Sequence, residues 1–190
     1  MVGCRRAGGF RAARGGEGAG GAGGRAETPA CWRLTAASAP GDPYDLKRYV
    51  EAQRPVFEQV LAELRRGRKE SHWMWFVFPQ IAGLGRSTTA REFAIGSLDE
   101  ARAFLAHPVL GPRLRDCTAL MLRVEGRSAA DILGAVDSAK FRSAMTLFAE
   151  ADPDEPIFAQ AIGRYFDGDP DPLTLERLRF PGVASDGTKP

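Results

Sequence analysis

Helix-start signals followed by apolar residues at helical spacing recur along the chain from residue 42 onward. Phe57, Val60, Leu61 and Leu64, for example, stand at positions i, i+3, i+4 and i+7, the pattern of a half-buried helix. The alternation of apolar and polar residues that is typical of a half-buried strand hardly appears. No repeat links the helical segments at a solenoid period. The sequence therefore predicts an all-α fold, a single-domain, compact, irregular bundle of about eight short helices.

The predicted helix starts are marked by capping residues and by prolines that favour a first turn. Ser97 with Glu100, and Ser128 with Asp131, have the spacing of a capping box. His107 stands at a predicted helix end, where its charged ring would interact favourably with the helix dipole. The other predicted starts are Asp45, Pro55, Ser87, Asp137, Pro156 and Asp171.

Composition divides the chain of 190 residues into three parts. Residues 1–41 hold 11 of the 22 glycines and six arginines, but few large apolar side chains. This composition predicts a disordered Gly/Ala/Arg-rich tail, followed by a helical domain at 42–180 and a frayed C-terminus at 181–190. A leader read from a GC-rich frame upstream of the true start is one interpretation of the tail. An organelle transit segment would be amphipathic and Ser-rich, and the tail is neither.

Several classes of partner and cofactor find no support in the sequence. No apolar run approaches the length of a membrane span, so no membrane partner is expected. The single Arg14-Gly15-Gly16 gives no clear nucleic-acid partner, and any protein partner is unknown. Cys4, Cys31 and Cys117 are scattered without ligand spacing, which favours a reducing compartment, the cytoplasm, and no metal site. No cofactor is predicted.

The aromatic run from residue 72 to residue 78 holds one histidine, two tryptophans and two phenylalanines within seven residues. It is too short for periodicity to decide, but its helical neighbours favour one or two helical turns stopped by Pro79. Trp73 and Trp75 would then point about 200° apart, so that they cannot both face one core. His72 is either a structural side chain or the candidate proton carrier.

The loop Gly83-Leu84-Gly85-Arg86-Ser87 has the ingredients of an anion site. Gly83 and Gly85 would let backbone amides approach a ligand, Arg86 supplies a charge, and the helix predicted to begin at Ser87 would present its free amides. The specific fingerprints of dinucleotide-binding and P-loop proteins are missing. A plain turn with a serine N-cap is the alternative interpretation.

Lys140 and Ser143 lie on one stripe of a predicted helix, flanking its apolar face. A lysine in that position could bind a phosphate or a carboxylate. It could equally pair with Asp137 at i, i+3, which would stabilise the helix by only a few tenths of a kcal/mol.

The order of these motifs resembles the bacterial and fungal domain of unknown function numbered 1810. The resemblance covers about residues 42–180 and rests on HWMWFVFPQ (72–80), GLGRS (83–87), HPVLGPRL (107–114) and DSAKFRSAMTLF (137–148). It implies a small, mostly helical protein with no established activity. The label calpastatin sometimes given to the family describes a long disordered inhibitor, unlike these capped amphipathic helices.

The resemblance also implies which positions matter. The family's polar and aromatic positions correspond here to His72, Trp73, Trp75, Gln80, Ser87, Arg113, Asp137, Lys140, Ser143 and Thr146. We expect His72, Gln80, Lys140 and Ser143 to meet in one pocket. Phe93 stands where the family leads us to expect tyrosine, which removes one hydroxyl.

Two functions remain open at this point. The first is a pocket protein that binds or processes a small anionic ligand, such as a nucleotide or an ADP-ribose derivative, with His72 as the candidate catalytic residue. The second is a non-enzymatic interaction or scaffold module in which Trp73 or Trp75 forms an exposed aromatic patch.

Overall fold

The computed structural model describes residues 41–180, which form ten helices and no strand. The all-α prediction is confirmed, with ten helices instead of about eight. Three of them are only four or five residues long, too short for periodicity to count. The helices are α1 (Lys47–Gln53), α2 (Phe57–Arg65), α3 (Met74–Val77), α4 (Thr88–Glu92), α5 (Leu98–Ala106), α6 (Leu110–Arg123), α7 (Ala129–Leu133), α8 (Ala135–Ala151), α9 (Pro156–Phe166) and α10 (Pro172–Arg179).

The predicted disordered tail, except for Gly41, and the predicted frayed C-terminus lie outside the described residues. Among residues 41–180, no helix is long and apolar enough to cross a membrane.

The longest helix, α8, lies at the centre of the bundle and packs against α5, α7, α9 and α10. Its predicted apolar face is buried, and aromatic rings join it to its neighbours. Phe148 lies 5.4 Å from Phe104 of α5 and 5.7 Å from Phe158 of α9, measured between ring centroids. Phe141 packs edge-on against Phe78 at 4.9 Å, which fixes the segment following α3 against the first half of α8.

Most predicted caps are confirmed. The side chains of Ser87 and Ser97 accept hydrogen bonds from backbone amides in the first turns of α4 and α5. Ser128 and Asp131 form the complete capping box of α7. The capping box at Ser97 is only half formed. The Glu100 carboxylate does not accept from the Ser97 amide but from the backbone amide of Gly96 and from the guanidinium of Arg48. Asp171 caps α10, and Pro156 and Pro172 occupy first-turn positions.

Three predicted helix starts are wrong. Asp45 has a left-handed backbone with φ of 49°, and Asp42 instead accepts from the amide of Lys47. Pro55 precedes α2, which begins at Phe57. Asp137 lies inside the first turn of α8, which begins at Ala135 after Gly134. Its carboxylate is therefore available for side chains and does not cap the helix.

His107 does not act as a cation at a helix end. Its Nδ1 accepts from the backbone amides of Val109 and Leu110, at 3.1 and 3.3 Å, as α6 begins. Burial lowers the pKa of His107, although the charge of Asp42 opposes this effect. Both observations favour the neutral imidazole.

Cys117 is expected to resist thiol reagents in the native protein. Its side chain is fully buried and unpaired, and burial raises the pKa of its thiol to about 12. Because the thiolate is the reactive species, alkylation should wait for unfolding. In a variant with Cys4 and Cys31 replaced by serine, we expect no reaction with a chromogenic disulfide until denaturant is added. Rapid labelling without denaturant would contradict the burial of this thiol.

Candidate functional site

The two tryptophans of the aromatic run point to different surroundings, as their predicted separation requires. Trp73 is 1% exposed and belongs to the core, where its indole Nε1 donates to Glu63 at 2.8 Å. Trp75, in α3, is half-buried. Trp73 is therefore not part of an exposed aromatic patch, and Trp75 can contribute only one partly covered ring.

Glu63 anchors the segment that leads into the aromatic run. Its carboxylate is fully buried and accepts from the backbone amides of Glu70 and Ser71, the hydroxyl of Ser71 and the indole of Trp73. Gln59 adds a further bond from within α2. Burial raises the pKa of Glu63, but these hydrogen bonds outweigh burial and lower it to about 2. The ionised carboxylate thus fixes the chain from residue 70 to residue 73.

A cluster of two lysines on one carboxylate lies beside the tryptophans, and we call it the Lys69–Asp137–Lys140 cluster. The Asp137 Oδ2 lies 2.7 Å from the Nζ of Lys69, and its Oδ1 lies 2.6 Å from the Nζ of Lys140. The three side chains are only 10%, 16% and 20% exposed, in sequence order. Since two ammonium groups share a single carboxylate, the cluster carries one excess positive charge.

Both ammonium groups of the cluster also lie against indole rings. The Nζ of Lys140 is 4.6 Å from the ring centroid of Trp75, and that of Lys69 is 5.3 Å from the ring of Trp73. Burial raises the pKa of Asp137, but the hydrogen bonds and charges of both lysines prevail and lower it. The cation–π contacts and the ion pairs together hold the two lysines in place.

Ser143 is turned away from the Lys69–Asp137–Lys140 cluster by a bond to another helix. Its hydroxyl donates to Asp171, the N-cap of α10, at 2.8 Å. The backbone amide of Asp171 donates to the hydroxyl of Thr146, also at 2.8 Å. Ser143 and Thr146, both predicted from the family resemblance, therefore dock α10 onto α8.

The Gly83–Ser87 loop has a packing explanation for both of its glycines. Gly83 has φ of +93°, and a Cβ there would lie 2.9 Å from the guanidinium carbon of Arg177. A Cβ on Gly85 would lie 2.4 Å from the Cβ of Ala90. Ser87 caps α4, which has only five residues, so its dipole is short. Packing and the cap of α4 thus explain the residues of this loop as those of a turn followed by a serine N-cap.

The remaining predicted side chains are accessible. Within residues 41–180, the exposed side chains of His72 and Arg86 form no hydrogen bond or ion pair. The backbone carbonyl of Gln80 accepts from the amide of Ile95 at 2.9 Å, while its side-chain amide stays without a partner in the described part of the chain. The structure therefore joins Lys140 with Trp75 and with Asp137, but gives Ser143 a different partner.

Sequence reasoning missed Lys69 and Glu63. A signal for Glu63 existed, because it follows Val60 by three residues and precedes Leu64, and so lies on the buried face of α2. Lys69 carried no comparable signal, since its partner Asp137 is remote in sequence. No group of three or more His, Cys, Asp or Glu side chains in residues 41–180 has the arrangement of a metal site.

Comparison with known proteins agrees with the motifs. The chain is 50% identical to the conserved hypothetical protein Rv1873 from Mycobacterium tuberculosis, whose crystal structure superposes with a TM-score of 0.72. The match covers 73% of this chain and 99% of that one. No curated protein matches the chain. The family described as Protein of unknown function (DUF1810) matches residues 43–178. The resemblance is thus confirmed, and this protein belongs to the DUF1810 family.

Proposed function

We propose that the protein binds a small anionic ligand of the nucleotide or ADP-ribose class at the Lys69–Asp137–Lys140 cluster. The observation that carries the proposal is the sharing of one carboxylate, Asp137, by two half-buried ammonium groups. The excess positive charge is held where screening by water is weak, so that an anionic group would restore neutrality there.

Trp75 supports the aromatic part of the proposed ligand. The ammonium of Lys140 covers one face of its half-buried ring, so a ligand that stacks on the remaining exposed part of the indole would have its phosphate close to a fixed charge. Stacking of a base on an aromatic side chain contributes about 1–3 kcal/mol. Lysine is a regular phosphate ligand, acting as a point charge.

His72 is the residue to which we assign proton transfer if the bound ligand is also processed. It is exposed and adjoins Trp73 in sequence, and histidine is the side chain that most often transfers protons in catalysis. His72→Ala should leave ligand binding within about twofold of wild type and abolish any turnover. A cytoplasmic location is part of this proposal, and the unpaired thiol of Cys117 supports it.

A thermal-shift titration of the full chain with ADP, ADP-ribose and ribose 5-phosphate tests the binding site. Ligand at about 100 times its dissociation constant should add about 2.7 kcal/mol, or several degrees in Tm. Lys140→Met should weaken binding at least about tenfold. Lys47→Met is the matched control, because Lys47 is 75% exposed and lies on α1, and it should bind like wild type.

Asp137→Asn tests the proposal with a variant that should bind the ligand more strongly, whereas Lys140→Met should bind it more weakly. Loss of the carboxylate should destabilise the free protein, because two half-buried ammonium groups lose their partner. It should at the same time strengthen binding of the anion, because the excess charge of the cluster rises. Weaker binding in this variant, or no response to any of the three ligands in the wild type, would contradict the proposal. The interaction-module function would then be tested by concentration-dependent self-association.

A further inference from the structure

Arg113, on α6, is held by neutral groups and lacks an acidic partner in the described part of the chain. Its Nη1 donates to the side-chain oxygen of Gln53 at 3.2 Å, and its guanidinium carbon lies 4.3 Å from the ring centroid of Phe57. Three other half-buried arginines each pair with a carboxylate: Arg48 with Glu100, Arg115 with Glu155, and Arg142 with Asp169.

The orientation of Arg113 is fixed by a buried amide. Gln53 is 2% exposed, and its Nε2 donates to the backbone carbonyl of Phe76 at 2.7 Å. That bond determines which atom of the amide is oxygen and aims it at Arg113. The guanidinium is thus locked between Gln53 on one edge and the ring of Phe57 on one face.

The opposite edge of the guanidinium is left open. Within residues 41–180, Nε and Nη2 of Arg113 make no hydrogen bond. Every fully buried side-chain nitrogen and oxygen in this part of the chain has a partner, so these two nitrogens reach solvent. Together they form the planar pair of donors that matches two oxygens of an oxyanion.

Two charged neighbours act on the Arg113 guanidinium. Burial lowers the pKa of the Arg113 guanidinium, and the charge of Arg54 acts in the same direction, whereas Glu58 opposes them. Arginine remains protonated despite such shifts. The two guanidinium groups and one carboxylate leave a net charge of one positive unit, which attracts a dianion more strongly than a monoanion.

We propose that Arg113 forms a second anion-binding site, distinct from the Lys69–Asp137–Lys140 cluster, which takes a phosphate group on its Nε and Nη2 edge. Gln53 and Phe57 are positioning residues for the guanidinium, and Arg54 adds charge. The proposal does not depend on the function proposed above, since it uses none of the residues of that cluster.

Side-chain Nε–Hε signals of the ¹⁵N-labelled full chain test this site directly, with inorganic phosphate and sodium acetate titrated at equal ionic strength. One signal, identified as Arg113 by its loss in Arg113→Lys, should shift saturably with phosphate, and acetate should bind at least about tenfold more weakly. The same shift should persist in Lys140→Met. No saturable shift would overturn the site, and equal affinity for acetate would overturn the phosphate class.

Two further variants test the assigned roles. Glu58→Gln should strengthen phosphate binding by roughly two- to fivefold, as expected for removal of one exposed opposing charge. Gln53→Met should keep the Arg113 signal but weaken phosphate binding, because the guanidinium loses its fixed orientation. Unchanged affinity in Gln53→Met would remove the positioning role, and weaker binding in Glu58→Gln would contradict the electrostatic argument.

Discussion

Glu63→Gln is expected to lower the free energy of unfolding by about 3 kcal/mol at pH 7. A pKa near 2 against the ordinary value of 4.5 means that the folded protein stabilises the ionised carboxylate by about that amount. Glutamine has a similar shape but offers only one acceptor oxygen. Its amide group would also point two donors at the donors of Ser71 and Trp73.

The pH dependence of this effect has a definite sign. The pKa of Glu63 is lower in the folded than in the unfolded protein. Its contribution to the free energy of unfolding is therefore complete above the unfolded pKa of 4.5 and is lost as the pH falls toward 2. Glutamine does not titrate. The difference in unfolding free energy between wild type and variant should therefore narrow as the pH falls below about 4.5.

Urea unfolding of both proteins at neutral pH and at about pH 3 measures this difference. Glu58→Gln is the matched control, because Glu58 lies on the same helix but is exposed, and its effect should stay within about 0.5 kcal/mol. A difference that keeps its full size down to about pH 3 would show that the Glu63 carboxylate is not the group that titrates.

Glu63 also connects stability with the candidate site. The backbone that it fixes, at Glu70 and Ser71, directly follows Lys69 and leads into Trp73 and Trp75. If the anchor is lost, Lys69 should no longer be held near Asp137. We therefore expect Glu63→Gln to weaken binding of the anionic ligand as well, although Glu63 touches none of the groups assigned to that ligand.

The sequence predicted local features well because their causes are local. The capping box of Ser128 and Asp131 spans three residues, and the burial of one tryptophan follows from the angle between Trp73 and Trp75. The start of α8 was misplaced for the same reason. Aspartate is a common N-cap residue, so the sequence places the helix start at Asp137. Only the tertiary contact with Lys69 explains why the Asp137 carboxylate forms an ion pair and does not cap the helix.

The candidate site was predicted in part, because its contacts join segments that are distant in sequence. A helical stripe places Lys140 beside Ser143, but it does not reveal that Ser143 donates to Asp171, 28 residues away. Similarly, Gln53 and Arg113 are 60 residues apart, and neither carried a signal of their hydrogen bond. Periodicity shows which face of a helix is buried, whereas the partner of a polar atom depends on how the helices pack.

Two glycines inside helices should respond to alanine in opposite ways. A Cβ on Gly111, at the start of α6, would lie 2.0 Å from the backbone oxygen of Leu105 and 2.9 Å from the Nη1 of Arg115. Backbone cannot rotate away as a side chain can, so α5 and α6 would have to separate. We expect Gly111→Ala to cost about 3 kcal/mol or more, at the upper end of the range for overpacking.

Gly163, in the middle of α9, has nothing within 4 Å of the position of a Cβ. Alanine there should stabilise the helix by about 0.5–1 kcal/mol, because it restricts the unfolded chain and favours helical backbone. Urea unfolding of both variants measures the two effects in one experiment. Since the substitution and the helical setting are the same, helix propensity predicts stabilisation in both, and only the contact of Gly111 with the end of α5 predicts a loss. If Gly111→Ala is as stable as wild type, α5 and α6 do not approach so closely that a Cβ on residue 111 would lie 2.0 Å from the Leu105 oxygen.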